Sequence, residues 1–355
     1  MKKKLLIAAG VLVVLGLVAA GAGYWIAFSG NTADFEGERG VKIPRGTNFS
    51  TVLDSLEGGG ILGSRQRMQW FNSATGLRGA EWGNYLDGGY YRFAEGASNY
   101  DILGKIYRGE QSAVQVTIPP GSRPEVIAAV TARDMDFEKK DFLAALDSSA
   151  LAQELGTDTT SLFGYLMPNT YSLKWVHPPS RVIKRAKRQF DRFWTEARAA
   201  RADSLGLSKQ DVVTLASIVQ WETSLQDELP RVSGVYLNRL QEGMRLQADP
   251  TVQYAILEKE GQKRRVLYED LEMQHPYNTY QIPRLPPGPI TNPSEAVLES
   301  VLDAEQHDYL YFVATGDGGH NFNETLQGHN RDANRYRSLM QQRRDSLRSA
   351  NSGSS

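Results

Sequence analysis

Cysteine is absent from this 355-residue chain. That excludes a disulfide framework, a thiolate metal site and a lipidated thiol anchor. An excess of charge of either sign is lacking as well: 40 Lys and Arg face 41 Asp and Glu, for a net charge of −1. Such balance gives no electrostatic reason to expect a nucleic-acid partner. The remaining composition, 41% hydrophobic and 23% charged, is that of a globular protein. Only the Ser-rich end, residues 346–355, reads as a disordered tail.

What the sequence does have is one long apolar run. Lys2, Lys3 and Lys4 precede residues Leu5 to Phe28, among which no charge occurs. These 24 residues make a helix of roughly 36 Å, enough to span a hydrocarbon core of ~30 Å. The lysines place residues 1–4 in the cytoplasm and, with Asp34, Glu36 and Glu38 following, the rest outside it. A single-pass anchor of the cytoplasmic (inner) membrane is expected. The competing reading is a cleaved signal peptide, for which Ala20-Gly21-Ala22 offers small residues. The apolar run continues past that point through Tyr24, Trp25, Ile26 and Phe28, which suits an anchor.

Beyond a polar linker, residues 29–40, the pattern is α+β. A strand at Val41–Ile43, a helix from Phe49 to Leu56 stopped by Gly58-Gly59-Gly60, a helical stretch from Arg65 to Ser73, a strand at Tyr90–Phe93 and a helix at Tyr100–Tyr107 make a small module over 41–110. A larger α+β domain, 114–345, follows. In it, Arg181 to Arg201 reads as one basic amphipathic helix with a solvated face, and Asn330 to Arg348 as another basic helix.

Ser208 to Glu222 carries the most chemical information. Ser208 and Asp211 form an S-x-x-D helix start, and Val212, Leu215, Ala216 and Val219 recur at helical intervals. Glu222 continues that stripe, beside Trp221. A carboxyl group held against apolar surface resists ionisation and can serve as a general acid on a glycosidic oxygen. The alternative is that Glu222 ends the helix and turns to solvent. Further on, Asp249-Pro250 reads as an N-cap with Pro in the first turn.

Across the chain runs a longer pattern: Gly164-Tyr165-Leu166-Met167-Pro168-Asn169-Thr170-Tyr171, Ala216 to Thr223, Asn238-Arg239-Leu240, Gly243-Met244-Arg245-Leu246-Gln247, Asp249-Pro250-Thr251-Val252, Tyr277-Asn278-Thr279-Tyr280, Leu285 to Ile290, Tyr309 to Ala314 and Gly319-His320. It resembles the endolytic murein transglycosylases, the MltG or YceG-like family, over nearly the whole chain. The resemblance implies a LysM-like subdomain over 41–110 and a catalytic domain over 114–345. It also implies non-hydrolytic cleavage of the β-1,4 bond between N-acetylmuramic acid and N-acetylglucosamine, leaving a 1,6-anhydromuramyl end. One carboxyl group suffices for this, as acid and then as base, and the family's catalytic glutamate falls on Glu222. Where the family has Glu-Lys before its Glu-Thr pair, this chain has Gln220-Trp221; Phe163 and Asn169 replace a family Glu and Asp. The binding cleft is expected from Asn238, Gln247, Asp249, Asn278 and Tyr280, with Gly288 and Pro289 shaping a wall. Asp249 as a helix cap and Tyr280 as a core residue remain open at this point.

The implied partners are peptidoglycan strands, the membrane and the peptidoglycan synthases; no cofactor and no metal are expected. Two other readings stand beside this one. A metal-dependent hydrolase would use His275, His307, His320 and His329, yet no pair has the H-x-x-x-H spacing that puts two ligands on one helix face. A wall-binding scaffold would hold glycan and cut nothing.

Overall fold

The structure, a computed structural model, describes residues 2–75 and 88–352, with side chains as far as residue 345. It divides into two compact units, one of Met1–Val116, Ala132–Glu138 and Ser172–Pro178, the other of Thr117–Thr131, Lys139–Tyr171 and Pro179–Ser355.

The first unit begins with α1 (Lys2–Phe28), a 27-residue helix that buries no side chain. Among the described residues it is the one helix long and apolar enough to cross a membrane, with a mean hydropathy of 2.7. Strand β1 (Glu38–Ile43), helices α2 (Phe49–Gly58) and α3 (Arg65–Ala74), strand β2 (Gly89–Ala94) and helix α4 (Asn99–Tyr107) follow. Asn48, Ser64 and Ser98 each accept a backbone N–H as N-caps of α2, α3 and α4, which stabilises each helix start by ~1 kcal/mol. β1 and β2 are antiparallel, with Val41 opposite Tyr91. The inward residues Val41, Ile43, Tyr91 and Phe93 meet Leu53, Leu56, Met68, Ile102 and Ile106 in one core. The start of the stretch read as a linker is built into this unit. Asn31 is 2% exposed; its Nδ2 donates to Asn99 Oδ1 at 2.6 Å, and Asn99 Nδ2 donates to the Ile26 carbonyl at the end of α1 at 2.7 Å.

Strand β3 (Ala113–Ile118) leads to α5 (Pro124–Asp134), α6 (Lys139–Leu146), α7 (Ser149–Glu154), a 3₁₀ turn at Leu162–Tyr165 and strand β4 (Asn169–Lys174), which pairs with β3. Next come α8 (Pro179–Phe193), α9 (Glu196–Ser204), α10 (Lys209–Glu222), α11 (Leu229–Gln241) and α12 (Asp249–Glu260). The last elements are α13 (Glu295–Leu302), the antiparallel pair β5 (Tyr311–Ala314) and β6 (His320–Asn323), and α14 (Leu326–Ser352). The α+β class is as expected. The basic helix read as continuous from Arg181 to Arg201 is in fact two, because Thr195 breaks it and caps α9 by accepting the Arg198 N–H. The tail expected from residue 346 is helical to Ser352, and residues 353–355 lie outside the described residues.

Helix α10 is the axis of the second unit. It touches α9, α11, α12 and α13, and every residue from Val212 to Val219 is buried. The sequence pattern implied one apolar stripe; instead Thr214 and Ser217 are enclosed too, as small polar residues can be when their hydroxyls bond to nearby backbone. The Ser217 hydroxyl donates to the Thr214 carbonyl at 2.7 Å and accepts the Ile290 N–H at 2.9 Å. The Pro-rich segment before Ile290 is thereby stitched to the back of α10. A Cβ on Gly164 would stand 2.3 Å from Pro289 Cγ, so only glycine allows this approach.

Candidate active site

Glu222 is the last residue of α10, and Thr223 leaves the helix in extended conformation. The helix ends at Glu222, but the carboxyl group does not turn out to open water. It is partly buried at the junction of two hollows of about 320 and 580 Å³, both of which it lines together with Asp249. The Tyr236 hydroxyl, from α11, donates to Glu222 Oε1. Loss of hydration pushes the Glu222 carboxyl up from 4.5 to about 7. The Tyr236 hydrogen bond opposes this, the negative charge of Asp249 adds to it, and the Arg239 cation opposes it. Desolvation prevails, so the carboxyl keeps its proton to far higher pH than an ordinary glutamate.

Tyr236 is itself 1% exposed, and burial pushes its hydroxyl well above the usual phenol range, so it stays a donor. Arg239, one turn further along α11, is 7% exposed. Its Nε donates to the Leu310 carbonyl at 2.6 Å and another guanidinium nitrogen donates to the Leu246 carbonyl. Its charge is thus fixed beneath the Tyr311 ring, 5.3 Å from the ring centre. Burial of this cation is compensated by charge-assisted bonds to carbonyl oxygens.

Of the residues expected to form the cleft, Gln247, Asp249 and Tyr280 line the smaller hollow with Glu222. Gln247 takes φ 50, a left-handed conformation that costs a non-glycine residue about 1 kcal/mol or more and recurs at functional sites. Asp249 is not the N-cap of α12; Ala248 is, without a side-chain bond. The Asp249 carboxylate instead accepts the Tyr280 hydroxyl at 2.7 Å. Tyr280 is therefore no core residue: it is half-buried and lines the hollow.

Four expected residues lie elsewhere. Asn238 Nδ2 donates to the His307 and Tyr309 carbonyls at 2.7 and 3.0 Å, which commits its amide to holding the chain ahead of β5. Asn278 is fully buried; its Nδ2 donates to the Met273 carbonyl at 2.8 Å and its Oδ1 accepts the Tyr280 N–H at 3.0 Å. Gly288 and Pro289 are also buried, against Thr160 and Gly164, and form no wall of either hollow. Short polar side chains at turns serve backbone as readily as ligand, so residue type alone could not separate these roles.

Tyr236, Arg239, Tyr311 and Phe312, which line the smaller hollow, and Gln253 and Lys263, which line the larger, were not among the expected site residues; His329, weighed only as a metal ligand, lines the smaller hollow, and Trp221 lines the larger. For Tyr236 the signal available was that a phenol needs a hydrogen-bond partner when buried. Trp221 Nε1 donates to the Gly121 carbonyl at 2.9 Å, and Gln220 Oε1 accepts the N–H of Ser294, the N-cap of α13, at 2.9 Å. Glu228 accepts the His320 N–H at 2.9 Å and pairs with His320 Nδ1 at 2.6 Å, tying β6 to the segment after Glu222. Among the described residues no three His, Asp or Glu side chains gather as a metal site.

Comparison with known proteins supplies the family. The YceG-like family matches residues 41–335. A protein of Bacillus subtilis named endolytic murein transglycosylase is 30% identical over 83% of this chain and 84% of its own length. A namesake from Streptococcus pneumoniae is 28% identical over 77% of this chain, which spans 54% of that longer protein. The crystal structure of a YceG-like protein from Listeria monocytogenes, 26% identical, superposes with a TM-score of 0.56 over 83% of this chain and 98% of that one. With its family match running through both units and its relatives aligned over most of their shared length, the chain belongs to the YceG-like family.

Proposed function

We propose that this protein is an endolytic murein transglycosylase, a lyase, in which Glu222 acts first as acid and then as base. The observation that carries the reading is a carboxyl group raised to about 7 by burial, oriented by Tyr236, at the meeting of two hollows. Its relatives are named for this activity. Glu222 passes its proton to the glycosidic oxygen as the bond from that oxygen to the muramyl C1 breaks, and N-acetylglucosamine leaves with a free 4-hydroxyl. Glu222, now a carboxylate, takes the proton of the muramyl 6-hydroxyl while O6 bonds to C1. The proton count returns to its start and no water enters. A carboxyl near neutrality suits both halves, since it gives and takes a proton with equal ease at cellular pH.

Gln247, Asp249 and Tyr280 are assigned to sugar binding along the groove. Helix α1 serves as the membrane anchor, with Lys2, Lys3 and Lys4 on the cytoplasmic side of the inner membrane and the rest outside. The small β1–α2–α3–β2–α4 unit takes the place of the LysM-like subdomain, a holder of glycan. A cutter tethered in this way meets strands as the synthases of the same membrane extrude them, and terminates or trims them. The test is mass spectrometry of peptidoglycan incubated with the protein: 1,6-anhydromuramyl ends are expected, and reducing ends would make it a hydrolase instead.

A further inference from the structure

The two hollows that meet at Glu222 differ in chemistry. The larger one carries a cation, Lys263, whose Nζ stands 5.4 Å from the centre of the Trp221 ring. That ring is held by its bond to the Gly121 carbonyl, so the ammonium rests on a fixed face. Among the described residues Lys263 has no carboxylate partner. Gln253, one turn beyond Asp249 on α12, lines the same hollow, and its Nε2 is enclosed with no hydrogen-bond partner among the described residues. An enclosed donor without an acceptor is costly and marks a place where an acceptor belongs.

The smaller hollow offers no comparable cation. Arg239 is committed to two backbone carbonyls, and the wall is built from Tyr280, Tyr311, Phe312 and His329. Aromatic faces of this kind suit the apolar face of a sugar ring. Here too one group waits for a partner: His329 Nδ1 is enclosed and unbonded among the described residues.

We propose that the Lys263–Gln253 hollow receives the muramyl residue through the carboxylate-bearing substituent on its 3-oxygen, and that the aromatic hollow receives the N-acetylglucosamine leaving group. The inference rests on the reading of the chain as a murein transglycosylase. Murein's two sugars differ in this substituent: the muramyl unit carries a lactyl group, and through it the peptide, whereas the glucosamine unit carries no acid. An amide donor and an ammonium lining one hollow match a carbonyl and a carboxylate; the glucosamine residue has an acetamido carbonyl but no carboxylate to offer. The strand then lies in one direction only. Its muramyl C1 faces Glu222 from the Lys263 side and the departing 4-oxygen from the His329 side.

The test uses the full chain in detergent and three preparations of glycan strands. One keeps its peptides, one has been stripped by an amidase and so exposes the lactyl carboxylate, and one is stripped and then capped as the methylamide. The wild type is expected to cut at least one of the carboxylate-bearing preparations roughly tenfold faster, in kcat/KM, than capped strands, the order of one charge-assisted contact at a half-open site. Lys263→Gln should erase that preference through KM, and Lys263→Arg should keep most of it. Lys263 is exposed, so its replacement leaves the fold intact, which an unchanged melting temperature verifies. A preference for stripped strands assigns the lactyl carboxylate as the partner, and a preference for peptide-bearing strands assigns the peptide. An unchanged preference in Lys263→Gln, or an equal loss on all three substrates, overturns the proposal. Failure of the wild type to leave anhydromuramyl ends on any of them would overturn the underlying reading instead.

Discussion

Replacing Glu222 by Gln should stabilise the folded protein at alkaline pH, and the size of the effect follows from the site. The carboxyl titrates at about 7 when folded against 4.5 in the unfolded chain. Between those values the folded state holds the proton more tightly, so the stability contribution is fully present below about 4.5, falls as pH rises, and is lost above about 7. The gap amounts to ~3 kcal/mol at ~1.4 kcal/mol per pH unit. Glu222 is only partly buried, and solvent screening reduces this to ~1–2 kcal/mol. Gln is neutral at every pH and escapes the cost. At pH 8 the Glu222→Gln protein should therefore melt roughly 1–3 °C above the wild type, and at pH 4.5 the two should nearly coincide. Differential scanning calorimetry of the full chain in detergent, repeated across pH 4.5 to 8, measures the difference. A gap that is constant with pH, or that widens towards acid, would mean that burial does not raise the Glu222 carboxyl.

Three further outcomes are expected. Tyr236→Phe removes the hydrogen bond that holds Glu222 down, so the alkaline limb of kcat/KM should move up by ~1 pH unit; a limb that stays in place would mean that the bond does not form in solution. Asp249→Asn removes a negative charge that holds Glu222 up, so the same limb should move towards lower pH, and an upward movement would contradict the assigned electrostatics. Asn278→Ala strands the carbonyls and the N–H that this buried amide joins and should cost ~2–3 kcal/mol, seen as a lower melting temperature; an undiminished melting temperature would return Asn278 to the candidate binding residues.

The parts of this fold that could be read from the sequence are those specified by neighbouring residues. The Ser208–Asp211 box at the start of α10 was legible because cap and partner lie three residues apart, and both reciprocal bonds form. The same holds for the small unit, whose helices and strands are punctuated by Asn48, Ser64, Ser98 and its glycines. Thr195 was the comparable signal within the basic stretch, but the apolar spacing on either side of it masked the break. What escaped was tertiary. Tyr236 reaches Glu222 across 14 positions of sequence, and nothing local announces the contact. Asn238 and Asn278 have the right chemistry for sugar hydroxyls, yet the chain uses them to hold its own carbonyls. Position alone decides between these uses, and position comes from how α10, α11 and α12 pack.

Whether Glu222 carries the chemistry is tested most directly by the single-turnover rate of Glu222→Gln on isolated murein strands, with binding followed in parallel. Strands should still bind, and the rate should fall by ~10³-fold or more, the scale of a lost general acid that also serves as the base, with no anhydromuramyl ends formed. Cleavage within tenfold of the wild type would contradict this role, because the chemistry would then belong to some other group.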